Sequence, residues 1–98
     1  MSRDKYNVEY TDTFGGKANY SWVERATIEL AALPHDNIYT SASTIAKQRR
    51  AYNRELARKA KAAVGLTGVR GRSCHYGEGY EFRPYNSATV LFATYDDN

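Results

Sequence analysis

The sequence predicts an α+β domain in which an antiparallel sheet of about five strands, in the chain order ββαβββ, carries one long amphipathic helix on one face. Three observations lead there. Apolar and polar side chains alternate through several short stretches, which is the period-two signature of half-buried strands. One segment of about twenty residues spaces its apolar side chains as a helix does. Glycine- and proline-containing turns punctuate the rest.

The first strand runs from Lys5 to Phe14, with Tyr6, Val8 and Tyr10 on one face and Asn7, Glu9 and Thr11 on the other. Gly15, Gly16 and Lys17 give permissive backbone for a reversal, with a loop of several residues. A second strand follows, reaching residue 31, in which Tyr20, Trp22, Ala26, Ile28 and Leu30 share a face interrupted by Glu24. Pro34 to Ser43 reads as a loop, because proline cannot join a central ladder and His35, Asp36 and Asn37 favour turns. Ser41, Ser43 and Thr44 are each credible N-caps for the helix, and Gly65 is placed to end it in a left-handed conformation. Within the helix, Ile45, Tyr52, Leu56, Ala60 and Ala63 fall within about 60° of one another and form the stripe that faces the sheet.

After Gly68 strand character returns from Val69 to Tyr76, turns at Gly77, Glu78 and Gly79, and continues from Tyr80 to Arg83. Pro84 to Ser87 breaks this hairpin. Ala88 to Tyr95 is the most apolar run in the chain, so its expected place is central in the sheet.

Ninety-eight residues suit one domain, residues 1–98, and a chain of that size buries about 60–65% of its unfolded surface. Nine tyrosines favour a sheet with one wet face or an adhesive surface. A lone cysteine makes no internal disulfide, so the composition suits a reducing, cytoplasmic compartment. No apolar run approaches the roughly 20 residues of a bilayer span, and the start MSRDKYNVEY lacks the apolar core of an export signal. The expectation is therefore no membrane partner and a cytoplasmic location.

Charge is the least ordinary feature. Residues 47–61 hold seven of the fourteen cations against the single acid Glu55, a net +6, which leaves seven cations and ten acids, a net −3, for the rest. On a helix, Lys47, Arg50, Arg54, Arg58 and Lys61 form one outer ridge about 21 Å long, opposite the apolar stripe. Arg49 and Lys59 fall at the borders of the stripe, where their stems can cover the core edge and their heads reach carboxylates on the sheet. The ridge has two readings: the solvated outer face of any amphipathic helix, or a surface for phosphates or an acidic protein. Its one-sided charge adds weight to the second without excluding the first, because a merely solvated helix mixes signs to gain pairs.

Arg70, Arg72 and Arg83 flank the glycine turn among Tyr76, Tyr80 and Tyr85, a mixture suited to stacking on bases, or else to alternate strand residues facing water and core. No helix-turn-helix, zinc-finger or RNP-type spacing accompanies them. Cys74 and His75 are adjacent, but neighbours on a strand point to opposite faces, so they do not make a nucleophile and base; a small core thiol is the reading for Cys74. Ligand spacing for a metal is lacking, and the pairs Gly15-Gly16 and Gly65…Gly68 fit turns rather than a phosphate loop. Neither an enzyme nor a cofactor is expected.

The stretches YTDTFGGKANYSWVERATIEL, residues 10–30, and KAKAAVGLTGVRGR, residues 59–72, resemble those of small uncharacterised proteins of bacteriophages and prophages. The resemblance implies a phage accessory protein, among which compact inhibitors of host defence, including anti-CRISPR proteins, are frequent. On that footing the expected function is a non-enzymatic inhibitor that blocks a host defence machine, most plausibly a CRISPR-Cas effector complex, through the basic helix face. The expected partner is a host protein or ribonucleoprotein with an acidic or phosphate-bearing surface. A nucleic-acid-binding module, and a phage structural or assembly protein whose tyrosine-rich free sheet face or edge strand mediates oligomers, are the alternatives, and a homodimer is among the expected associations.

Overall fold

A computed structural model describes residues 3–33, 41–77 and 79–96. The elements are β1 (Arg3–Phe14), β2 (Lys17–Ala31), α1 (Ala42–Ala63), β3 (Gly71–Tyr76), β4 (Gly79–Pro84) and β5 (Thr89–Asp96). They form one antiparallel sheet in the order β2-β1-β5-β4-β3, with α1 on one face. The expected α+β architecture and chain order are both observed. The apolar run assigned to the centre is there, as β5, between β1 and β4.

Register explains the core. Tyr6 lies between Ile28 and Tyr95, and Val8 between Ala26 and Ala93, while Tyr80 opposes Ala93 and Phe82 opposes Leu91. This places the even-numbered residues of β1 and β4, those of β2 beyond Val23, and the odd-numbered ones of β5 on the helix side. Tyr6, Val8, Ile28, Leu30, Tyr80, Phe82, Leu91 and Ala93 are all buried there, with Leu56 and Ala60 of α1 and Leu66 just beyond it. Ala60 lies fully buried, since its single methyl lets the helix approach the sheet closely. At the other end of the stripe Tyr52 keeps its hydroxyl protonated, pushed well up by burial, and donates it to Asp4 at 2.6 Å while meeting the Tyr6 hydroxyl at 3.0 Å.

Several boundaries differ from expectation for local reasons. Gly15 and Gly16, both at positive φ, close the first hairpin as a two-residue turn, so Lys17 already belongs to β2. Of the three candidate caps Ser41 is the one used, its hydroxyl accepting from the Thr44 amide, and Ser43 therefore lies inside the helix. Residues 34–40, the remainder of the expected loop, and Glu78 of the second turn lie outside the described residues. Gly65, at φ 77°, follows the Val64 cap and ends α1 as expected. Arg70 stays outside β3, its carbonyl accepting from the Tyr85 amide at 3.1 Å.

The larger difference concerns Tyr20. Expected on the helix face with Trp22, it adopts a left-handed backbone at φ 56°, and its hydroxyl donates instead to Glu9 on the opposite face. β2 is thereby offset against β1, whose pairing shifts between Thr11 and Thr13. Thr11, fully buried, holds the irregularity by donating to the Trp22 carbonyl at 2.7 Å and accepting from the Tyr20 amide at 3.1 Å. Asp12 completes it, accepting from the Ser21 hydroxyl, the Asn19 amide and the Ser21 backbone amide, and these bonds hold its carboxyl well below the usual carboxylate range. The support they give is full above the ordinary carboxylate value of 3.8 and is lost as pH falls from there through the folded value.

Candidate basic interface on α1

The ridge expected on α1 divides into two parts. Lys47, Arg50 and Arg54 are exposed and, among the described residues, make no ion pair or side-chain hydrogen bond. They stand three and four residues apart, so they follow one face for about 10 Å. Arg58 is exposed too, but its guanidinium is held by both carboxylate oxygens of Glu55. That bidentate pair lowers the Glu55 carboxyl and raises Arg58. The expectation of a ridge without any acid is thus corrected at Arg58, by an i,i+3 neighbour on its own helix.

Lys61 leaves the ridge. Its ammonium donates to the Val69 carbonyl at 2.6 Å and sits 4.3 Å from the centre of the Phe82 ring, so it closes the helix C-terminal turn against the sheet. A flexible four-carbon stem lets it swing from the outer face toward the core edge. Lys59 does what its border position predicts, half-buried, though its head reaches the Glu29 backbone carbonyl at 2.8 Å instead of a sheet carboxylate. Arg49 remains exposed, at the rim of a cleft of about 240 Å³ that Asn53, His75 and Gly77 also line.

Local structure accentuates the charge of the N-terminal half. The first turn of α1 carries no acidic residue, although that end bears the positive pole of the helix dipole, where acids stabilise and cations do not. No residue from Ala42 to Ala51 is buried, so this half lies free of the core that fixes Leu56 and Ala60.

The secondary cations are dispersed. Arg83 pairs with Glu81 at 2.9 Å and donates to the Gly16 carbonyl at 2.9 Å, tying the β1–β2 turn to β4. Arg72 is exposed on the sheet face away from α1, and Arg70 is exposed beyond the strand. Tyr80 is fully buried on the α1 side with its hydroxyl on Ser73, whereas Tyr76 and Tyr85 are exposed. The arginines and tyrosines of this hairpin therefore do not share one stacking surface.

Cys74 is exposed on edge strand β3, which corrects its reading as a core thiol: apolar character alone does not tell an edge strand from an inner one. His75 lies on the other face against the Tyr80 ring, 4.7 Å between centres, its pKa lowered by burial. The opposite face of the sheet carries a shallow hollow of about 530 Å³ whose lining includes Asn7, Thr27, Thr94 and the ion-paired Glu9 and Arg25. Among the described residues no group of three or more His, Cys, Asp and Glu side chains is placed to hold a metal ion, and no helix is long and apolar enough to cross a membrane.

No family model, curated protein or solved structure matches the chain.

Proposed function

We propose that the chain is a non-enzymatic binding protein that docks the exposed face of α1 bearing Lys47, Arg50 and Arg54 on an acidic surface of a larger protein machine and blocks it. One observation carries the reading: Lys47, Arg50 and Arg54 form an exposed row without partners among the described residues, at the three- and four-residue spacing at which like charges on a helix repel. Such an arrangement costs the free protein stability and becomes favourable when carboxylates or phosphates meet it. The likeness to phage accessory proteins points to a host defence complex, such as a CRISPR-Cas effector, as the machine. A direct single-strand nucleic-acid reader is less well supported, because the exposed aromatic and arginine side chains of the β3–β4 hairpin lie apart from this row.

The test is the triple reversal Lys47→Glu, Arg50→Glu, Arg54→Glu in a chain whose circular dichroism is unchanged. Defence inhibition, and capture of a nuclease-resistant complex from host lysate, should both be lost. Retention of both by the folded variant overturns the assignment. A log–log salt slope near −0.9 per neutralised phosphate on duplex DNA would transfer the site to nucleic acid.

A further inference from the structure

The two edges of the sheet are unlike. β2 carries Lys17, Glu24, Arg25 and Glu29 along its length, and the left-handed residue Tyr20 and the register shift opposite it break its line. These are the features by which a sheet edge resists pairing with another chain. β3 has fewer of them. It is six residues in register with β4 without interruption, it contains one formal charge, Arg72, and everything after Gly71 is exposed. Its outer backbone groups have no ladder partner among the strands of this sheet.

We propose that β3 is a dimerisation edge and that its occupant is a second copy of the same strand. The two β3 strands pair antiparallel about a two-fold axis at Cys74, and two five-stranded sheets become one of ten. The sequence of β3 is complementary to itself in this register. On the face away from α1, Arg72 lies opposite Tyr76 of the second copy and Tyr76 opposite its Arg72, a cation against an aromatic ring on each side of the axis. Cys74 meets its own counterpart, small and uncharged. On the α1 side Ser73 faces His75, a hydroxyl against an imidazole, and no position sets one formal charge against its like.

The axis stands perpendicular to the sheet, so both helices lie on the same side. Five strand intervals of about 4.8 Å separate the two β5 strands by about 24 Å. Each copy thus brings Lys47, Arg50 and Arg54, without partners among the described residues, to the same side of the joined sheet. The pairing itself does not depend on what α1 binds.

Light scattering on the intact chain should give twice the 11.1 kDa mass at high concentration and dissociation on dilution. A short bis-maleimide should join Cys74 to Cys74 in native protein and not in denaturant. Tyr76→Arg, at a half-exposed position, sets arginine against arginine on both sides of the axis and should raise the dissociation constant about tenfold, for like charges replace two favourable pairs. The swap Arg72→Tyr with Tyr76→Arg restores the opposition and should restore the dimer, a recovery that a merely structural defect in β3 does not permit. A chain that stays at 11.1 kDa at its highest soluble concentration, or a dimer indifferent to Tyr76→Arg, overturns the proposal.

Discussion

The two halves of α1 are both rich in long cations and alanine but have opposite fates. From Leu56 onward the helix is fastened: Leu56 and Ala60 are buried, Lys59 reaches Glu29, and Lys61 reaches Val69 and the Phe82 ring. From Ala42 to Ala51 nothing is buried, and Lys47 and Arg50 meet no partner among the described residues. The same residue type therefore serves the fold in one half and lies open in the other. What decides between them is whether the sheet supplies an acceptor within reach of the stem, not the helical phase alone.

The comparison breaks most readily at Leu56. Leu56→Ala removes a buried side chain from the fastened half and should cost about 2–5 kcal/mol in chemical denaturation. If the halves are separable, the remaining folded protein should still bind its anionic partner through Lys47, Arg50 and Arg54. Loss of binding at denaturant-free conditions, with the variant folded by circular dichroism, would show that the open half depends on the packed one.

Tyr52 marks the boundary between the halves. Tyr52→Phe keeps the ring and removes the donor to the Asp4 carboxylate, and should cost about 1.5–3 kcal/mol, the range for hydrogen bonds to charged groups. Faster amide exchange should then appear in Ala42–Ala51 before it appears beyond Leu56. Equal acceleration across the helix would mean that Tyr52 supports the whole element.

How much of this was legible in the sequence follows from the range of each interaction. Alternation placed Tyr6, Val8, Ile28 and Leu30 on the core face, and Gly65 marked the helix end, because these depend on neighbours within a few residues. Arg49 and Lys59 were separable from the outer ridge by phase alone. The pairing of Arg58 with Glu55 was within reach of the same arithmetic, at i,i+3, but was masked by counting charge over the segment. Lys61 was not legible, since its destination is a carbonyl and a ring supplied by other parts of the chain. Nor was Cys74, because strand order, which set β3 at an edge, follows from long-range pairing.

The open half should also be less stable than it needs to be. Arg50→Glu turns a like-charge neighbour of Lys47 and Arg54, at i,i+3 and i,i+4, into an opposite one, and should raise stability by about 0.2–0.5 kcal/mol at low salt while weakening partner binding. Opposite signs in the two measurements would identify a residue kept for contact at the expense of the fold. A loss in both would instead assign it to folding.

The smallest effect offers the sharpest distinction. Glu55→Gln removes the exposed pair with Arg58 and should lower stability only slightly, since an i,i+3 ion pair on a helix surface is weak and screened. It also releases Arg58, which lies four residues beyond Arg54 on the same face, and so extends the open row from three cations to four. If that row is the docking surface, binding to the anionic partner should tighten and its salt dependence steepen, even as stability falls slightly. If Glu55 instead contributes its own contact to the partner, binding should weaken with the same loss of stability, and the interface would then be of mixed charge, with Arg58 and Glu55 acting as a unit.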